Sequence, residues 1–261
     1  HIWDFDKASF RSAPMFSLYV TQGENVLLCS DENFKVKPSP IKSDDYRFGE
    51  VYNANYELDG WCQKDFDDSS WESALPAIAP KGELRSADIA PIVKHQEISP
   101  VEILPCEDGS YIYDFGQSNA GVCRLRINGT KDQKIEMQHA DSLRNGDLNL
   151  EQVWFVREHW ERDKHIVHKD TYICSGMGTE EYRPTFTYHG FRYVKVSGIT
   201  KKQATKDLLT YLVYHTLCRH VARQASEGLH DHNIFIAVVC KFQHFCRKIP
   251  TLTHTVADVD D

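Results

Sequence analysis

Paired carboxylates are the first residues of this sequence whose type and spacing could do chemistry. Hydrolysis of a glycosidic bond uses two carboxyl groups that face each other across that bond. The chain contains the adjacent pairs Asp44-Asp45, Asp67-Asp68 and Glu180-Glu181. Neighbouring side chains on a strand point to opposite faces of a sheet, so none of these pairs has the geometry that hydrolysis needs. We therefore predict no catalytic residue from the carboxylates.

Histidines are the second candidate group, because imidazole is a common metal ligand. Of the 13 histidines, His165 and His168 lie three apart, while His230 and His232 flank Asp231. None belongs to a His-Glu-x-x-His motif, and no cysteine pair has Cys-x-x-Cys spacing. The spacing therefore indicates no zinc site, and the metal content is left unknown.

Two short motifs favour structural roles. Asp114-Phe115-Gly116 matches a tripeptide that holds magnesium in kinases, but the glycine-rich loop and the other kinase motifs are missing. We interpret it as a glycine-containing turn after a strand. His189, within Tyr188-His189-Gly190-Phe191, is expected to be a buried, hydrogen-bonded histidine rather than a general base.

Aromatic residues beside polar loops are the residues of this sequence that could bind a sugar. Gly60-Trp61 is followed by Phe66-Asp67-Asp68-Ser69-Ser70-Trp71. An aromatic ring can stack on the C–H face of a sugar while carboxylates and amides bind its hydroxyls. The alternative is that both tryptophans fill the core and that Asp-Asp-Ser forms a turn. The sequence leaves both interpretations open.

The elements that must position these residues are predicted to be β-strands. Short apolar or alternating runs are bounded by Gly, Asn, Asp or Pro, as expected for strands joined by turns. They lie at Phe16–Val20, Val26–Cys29, Tyr111–Phe115, Val122–Ile127, Lys134–Gln138, Thr171–Cys174 and Phe191–Val196. Many strands without intervening helices favour packed sheets. The apolar segment Asn233–Cys246 could form a buried helix, which we expect to pack on the second, more C-terminal of two β-sandwiches or to drive self-association.

Composition limits the class of protein. The 261 residues include 30 Lys+Arg and 38 Asp+Glu, a net charge of −8, and 41% are hydrophobic. The apolar content excludes a disordered chain, and no run is long enough for a membrane span. The negative charge argues against a nucleic-acid partner and against an anionic membrane surface. We expect a partner that is neutral or cationic.

Six ordered blocks resemble the bacterial-type α-L-rhamnosidases. The strongest runs from Arg183-Pro184 through Tyr188-His189-Gly190-Phe191-Arg192-Tyr193-Val194. The others are Phe48-Gly49-Glu50-Val51-Tyr52-Asn53-Ala54-Asn55, Gly60-Trp61 with Phe66–Trp71, Ala90-Pro91-Ile92, Tyr113–Gly121, and His139-Ala140-Asp141-Ser142-Leu143 with Gly146-Asp147-Leu148. Together they cover residues 48 to about 197.

The resemblance implies an all-β fold of two tandem β-sandwich modules. Residues 1–98 resemble the jelly-roll module of the family, and residues 99–200 its concanavalin-like module. Residues 201–261 resemble a short, partly helical stub leading into the catalytic (α/α) barrel. The chain ends where that barrel would begin, and it begins at His1 rather than Met, so its N-terminus is interpreted as incomplete and its compartment is left open.

The resemblance also implies a sugar site, with calcium in some relatives. The candidate carbohydrate-binding residues are Glu50, Tyr52, Asn55, Trp61, Asp114 and Asn119. Glu50, Asp114 and Asn119 are also oxygen donors for calcium, a cation that needs several such ligands. This sequence departs from the family at Asn53 and Asn55, where Asp and Arg are usual, and at Ser118, where Asn is usual.

Three functions compete at this stage. The first is a non-catalytic carbohydrate-binding or accessory part of an α-L-rhamnosidase, whose partner is a rhamnose-containing glycan or glycoside. The second is a truncated or frameshifted fragment with neither activity nor ligand. The third is an active glycosidase with unrecognised catalytic residues. Whether the chain is an enzyme is therefore left uncertain.

Overall fold

The structure is a computed structural model that describes residues 15–45, 47–78, 90–151 and 165–216, with strand segments 234–237 and 246–247. Regular structure in these residues is almost entirely β-strand, and the two helices among them are single 3₁₀ turns at Ala54–Tyr56 and Lys206–Leu208. The predicted all-β class is confirmed. Neither helix is long or apolar enough to cross a bilayer.

The strands are numbered in chain order. Their bounds are β1 Ser17–Gln22, β2 Asn25–Cys29, β3 Lys35–Lys37, β4 Ile41–Asp45, β5 Gly49–Asn53, β6 Glu72–Ser73, β7 Ile92–Ile98, β8 Glu102–Pro105, β9 Tyr111–Asn128, β10 Lys134–Ala140, β11 Leu143–Arg144, β12 Asp147–Leu148, β13 Lys169–Ile173, β14 Thr179–Tyr182, β15 His189–Ser197, β16 Leu209–Thr216, β17 Ile234–Ala237 and β18 Cys246–Arg247. All seven predicted strands are present, and the two predicted at 111–115 and 122–127 are parts of the single long strand β9.

The chain divides into two compact units. The first consists of His1–Ser39, Glu57–Ala87 and His230–Asp261. Its strands form two small sheets, in the orders β17-β1-β2 and β18-β3-β6. Its described core is small, with Leu18, Phe34 and Ala74 buried.

The apolar segment near the C-terminus differs from its prediction. A buried helix was expected over 233–246, but Ile234–Ala237 is a strand that pairs antiparallel with β1. The free edge of β1 supplies backbone hydrogen-bond partners that a helix would not use, and a run of β-branched and aromatic residues suits a strand. These four residues therefore pair within the first unit, and their packing on the second sandwich stays a prediction. Self-association through the segment stays a prediction, and residues 238–245 lie outside the described part of the chain.

The second unit consists of Pro40–Tyr56 and Asp88–Leu229. Ten strands form one sheet in the order β4-β5-β13-β10-β15-β9-β16-β7, with β14 and β8 also pairing with β9. The 18-residue strand β9 pairs with β8 and β15 through its first half, and with β14 and β16 through its second half. This double pairing places the side chains of β9 at the centre of the large core.

Residues 40–56 contribute β4 and β5 to the sheet of the second unit. The parallel pairing of β5 with β13 joins residues that are about 120 apart in sequence, such as Val51 and Thr171. The module bounds 1–98, 99–200 and 201–261 stay a prediction from the sequence.

Candidate functional site

A buried polar cluster lies where β5, β10, β13 and β15 run side by side. Gly49 begins β5 at φ +97, where a Cβ atom would lie 2.4 Å from the Lys169 carbonyl oxygen. Only glycine permits this close approach of β5 to β13. The approach brings the backbone N–H of Glu50 to the Asp170 carboxylate, with 2.9 Å from N to Oδ1.

Asp170 is the centre of this cluster. Its side chain is fully buried, and His189 and His139 approach its two oxygens from neighbouring strands. His189 Nε2 lies 3.2 Å from Oδ1, while His139 Nε2 lies 3.9 Å from Oδ2. The two imidazole rings are stacked, with centroids 4.5 Å apart, and the ring of His168 lies 5.0 Å from that of His189. The prediction that His189 is buried and hydrogen-bonded is confirmed.

Burial shifts the pKa values of these groups. Removal from water disfavours the charged imidazolium, so the pKa of His139 falls to about 3 and that of His168 to about 4. Burial also raises the pKa of Glu50 to about 7, since a carboxylate loses its hydration there, and Asp170 and Asp44 add repulsion. The rings of His139 and His168 are therefore neutral at pH 7, while Glu50 and Asp44 add carboxyl groups near Asp170.

Glu50 is held by the chain itself. Its Oε1 accepts a hydrogen bond from the Tyr182 hydroxyl, and its Oε2 accepts one from the backbone N–H of Thr185, each 3.1 Å long. The side chain is completely buried. Tyr52, two residues along β5, is half-buried and packs against Tyr172 and Tyr182. These two predicted sugar-binding residues thus lie in or against the core.

Asp114 is paired with a cation of the same unit. Arg192 Nε and one of its terminal nitrogens each donate to a different oxygen of the carboxylate, over 2.8 Å. The backbone N–H of Gly116 adds a third hydrogen bond of 2.6 Å. These donors hold the pKa of Asp114 below its usual value. The Asp-Phe-Gly motif is therefore part of a bent strand, and its aspartate has a structural partner.

The bend in β9 brings Asp114 and Asn119 closer than their spacing indicates. Asp114 lies opposite Tyr193, and Asn119 lies opposite Phe191. The four residues of β9 between them, 115–118, therefore face only Arg192 of β15. Two positions along a strand are about 7 Å apart. The Asn119 carbonyl accepts a hydrogen bond from the Tyr211 hydroxyl, while its side-chain nitrogen is buried without a partner.

Asn55 and Trp61 are the exposed members of the predicted set. The Asn55 amide donates to the Asp132 carboxylate over 3.0 Å. Trp61 belongs to the first unit and keeps 37% of its surface exposed, whereas Trp71 keeps 6%. The core-filling interpretation therefore holds for Trp71, and Trp61 retains a free aromatic surface.

Two of the three predicted calcium ligands, Glu50 and Asp114, already have partners within the protein. Both oxygens of Glu50 accept hydrogen bonds from protein donors, and both oxygens of Asp114 are paired with Arg192. A hard cation would have to share these oxygens with the donors already in place and, at Asp114, lie close to the positive charge of Arg192. The assignment of the six residues to carbohydrate binding stays a prediction.

The histidine–aspartate cluster was missed by the sequence reasoning. His139, Asp170 and His189 each offer a ligand atom within 4.8 Å of the others. The spacing rules fail because the three residues come from β10, β13 and β15. One signal was available: His139 and His189 each belong to a block that resembles the rhamnosidases.

Two family models match the chain. Residues 6–96 match the α-L-rhamnosidase N-terminal domain, and residues 105–215 match the bacterial α-L-rhamnosidase concanavalin-like domain. The chain belongs to the bacterial α-L-rhamnosidase family. The resemblance seen in the sequence blocks is thereby confirmed.

Curated rhamnosidases are similar to this family member over most of its length. An α-L-rhamnosidase of Formosa agariphila is 30% identical over 207 residues, which is 78% of this chain and 21% of that protein. One of Streptomyces avermitilis is 31% identical over 195 residues, which is 74% of this chain and 18% of that protein. The chain thus spans about a fifth of the length of these relatives.

Solved rhamnosidase structures share the fold. The α-L-rhamnosidase of Dictyoglumus thermophilum is 34% identical with a TM-score of 0.65, covering 74% of this chain and 21% of that one. The enzyme of Aspergillus terreus is 30% identical with a TM-score of 0.66, covering 77% and 23%. The Streptomyces avermitilis enzyme complexed with L-rhamnose is 28% identical with a TM-score of 0.60, covering 72% and 18%.

Proposed function

We propose that this chain is a non-catalytic, carbohydrate-binding part of an α-L-rhamnosidase. The observation that carries the proposal is the position of the family matches, which fall on the N-terminal and concanavalin-like domain models. The partner would be a rhamnose-containing glycan or glycoside. A structure of the Streptomyces avermitilis relative is complexed with L-rhamnose, which supports this choice of sugar.

The chemistry of the described carboxylates supports a non-catalytic role. A general acid and its partner carboxylate must both reach the glycosidic bond. Glu50 and Glu180 are buried and hydrogen-bonded within the protein, and both oxygens of Asp114 are paired with Arg192. The oxygens of these carboxylates are engaged by donors within the protein, which leaves them poorly placed to act on a substrate.

Trp61 is the residue that we propose to contact the sugar. Its partly exposed ring lies beside Gly60, which adopts φ +70 in a turn, and a flat aromatic surface of this kind stacks on sugar C–H groups. Tyr52 and Glu50 would then support the fold of the second unit and would not touch the ligand.

An activity assay and a titration test the proposal. We expect no hydrolysis of an aryl α-L-rhamnoside, and saturable binding of L-rhamnose in isothermal titration calorimetry with or without calcium. Trp61→Ala should weaken that binding about tenfold, the loss expected from about 1.4 kcal/mol of stacking. Tyr188→Ala removes another exposed aromatic ring and serves as the control.

Each alternative has its own outcome. Flat titrations in both calcium conditions would favour the fragment without ligand or activity. Hydrolysis of the rhamnoside would favour the active glycosidase. If Trp61→Ala binds L-rhamnose as tightly as Tyr188→Ala does, Trp61 does not contact the sugar.

A further inference from the structure

The cluster around Asp170 holds an unusual concentration of unpartnered polar atoms. Seven buried side-chain atoms among the described residues have no hydrogen-bond partner. Four of them belong to this cluster: His139 Nε2, His168 Nδ1, Asp170 Oδ2 and His189 Nδ1. Each such atom costs free energy unless something binds it, and buried polar groups in folded proteins are nearly always satisfied.

The orientation of His139 shows what kind of partner is needed. Its Nδ1 lies 2.9 Å from the His168 carbonyl oxygen, which only accepts hydrogen bonds. Nδ1 therefore carries the ring hydrogen, and Nε2 of the neutral ring carries a lone pair. Asp170 Oδ2, which is also an unpartnered acceptor, lies 3.9 Å from this nitrogen.

A cation bound between these two acceptors would satisfy both of them. The gap exceeds a hydrogen bond, and an ion bonded at about 2.0–2.1 Å to each atom can bridge it. The contact of Nδ1 with a backbone carbonyl also matches the way that metal-bound histidines are oriented in proteins.

The negative charge of the groups around Asp170 also favours a bound metal cation. Asp170 is fully buried, and the neighbouring Glu50 and Asp44 add carboxyl groups. Among the described residues, the side chain of Asp170 contacts His139, His189 and the backbone N–H of Glu50, and no lysine or arginine is paired with it. A bound divalent ion would offset this buried negative charge.

We propose that His139, Asp170 and His189 bind one divalent transition-metal ion of the zinc class. Imidazole nitrogens with one carboxylate suit zinc, cobalt or nickel, whereas calcium and magnesium prefer oxygen ligands alone. His168 Nδ1 is the candidate for a fourth ligand, because it is buried without a partner beside His189. The role of the ion would be structural, since it would join β10, β13 and β15 from within the unit.

Metal analysis of the full chain tests the site. Because the cluster is buried, the chain is unfolded, refolded with Zn²⁺ or with a chelator, and passed over a desalting column. We expect about one zinc ion per refolded chain and a higher Tm after refolding with Zn²⁺ than with the chelator. Refolding with Co²⁺ should give the visible absorption bands of a four-coordinate site.

Variants separate the buried site from surface histidines. The double change His139→Gln with His189→Gln should reduce the zinc content about tenfold or more. The control is His95→Gln with His215→Gln, which removes an exposed pair of rings 4.5 Å apart on β7 and β16. This control should keep the zinc content of the unaltered chain.

Three outcomes would overturn the site, and the first and the third need only the unaltered chain. The first is an unaltered chain that refolds to a β-type circular dichroism spectrum with negligible zinc. The second is a zinc content that falls in the surface control and not in the buried variant. A His139 ring found protonated at neutral pH by NMR would show that a proton fills the gap instead, and would equally reject the metal.

Discussion

Glu180 is a buried carboxylate that serves the fold. It accepts hydrogen bonds from the Tyr172 hydroxyl, from the backbone N–H and the hydroxyl of Ser175, and from the backbone N–H of Gly176, at 2.7–3.0 Å. Its sequence neighbour Glu181 is exposed on the opposite face of β14. This alternation is the reason why the pair could not be a catalytic one.

The first prediction concerns this pair. Glu180→Gln keeps the shape but replaces one accepting oxygen with an NH₂ group that faces other donors, so the free energy of unfolding should fall by about 2 kcal/mol. Glu181→Gln, at an exposed position, should change it by less than about 0.5 kcal/mol. Urea unfolding followed by circular dichroism measures both. Equal losses in the two variants would contradict the structural role of Glu180.

Asp44 carries a charge that the fold disfavours. It lies opposite Glu50 in the pairing of β4 with β5, and its Oδ1 is buried without a partner. Burial, with a smaller repulsion from Asp45, raises its pKa to about 6 from an ordinary value of 3.8. A raised carboxyl pKa means that the folded state binds the proton more tightly, so stability is lost as pH rises from about 4 to about 6.

The second prediction follows from the direction of this pKa shift. Asp44→Asn should raise the Tm at pH 7.5, where the native carboxylate is ionised, and should give little or no gain at pH 3.5, where the carboxyl group is mostly protonated in both states. The loss of its repulsion on Glu50 acts in the same direction. Asp59→Asn, at an exposed position, is the control. A gain of the same size at both pH values would exclude ionisation as the cause.

Strand β9 organises the second unit because it pairs on both edges along most of its length. Its bend needs Gly116 at φ +79, and its crossing with β16 needs Gly121. A Cβ atom on Gly121 would lie 2.0 Å from the Leu212 carbonyl oxygen. The glycine is thus required by the close approach of a neighbouring backbone.

The third prediction tests that approach. Gly121→Ala should push β16 away from β9 and lower the free energy of unfolding by about 2 kcal/mol or more. Gly190→Ala is the matched control, because it lies opposite the neighbouring Ala120 and a Cβ atom there would meet nothing within 4 Å. Thermal and urea unfolding measure the difference. A Gly121→Ala variant as stable as Gly190→Ala would show that the strands can separate at no cost.

Among the described residues, the two units differ in the size of their hydrophobic cores. The second unit buries a large cluster that includes Tyr113, Leu125, Met137, Phe191 and Tyr211, whereas the described core of the first is small. Local stability follows the number of buried apolar contacts. The first unit should therefore open more readily than the second.

The fourth prediction applies that difference to the whole chain. In hydrogen–deuterium exchange, amides of β9, β10, β15 and β16 should be the slowest, and those of β1 and β2 should exchange much faster. The paired strand β17 should exchange together with β1, since each protects the other. Equal exchange rates for the amides of both units would contradict the expected difference in stability.

Much of the architecture was predictable from local patterns. The runs at 134–138 and 191–196 are predicted as strands because successive side chains on a strand point to opposite faces. Apolar and polar residues therefore alternate along the sequence itself. The family was predictable because its blocks keep their order along the chain. The segment at 233–246 was misjudged because a short apolar run fits a helix or a strand equally well until a partner edge is known.

The sequence by itself determined the all-β class, the family, and a set of residues drawn from family blocks. Only the tertiary structure decided which of these residues face solvent. Glu50 is buried and hydrogen-bonded to Tyr182, and Asp114 is paired with Arg192. Trp61 stays partly exposed. It also decided that His139, Asp170 and His189 meet. Strand pairing joins residues that are far apart in the chain, and no local spacing records which strands will be neighbours.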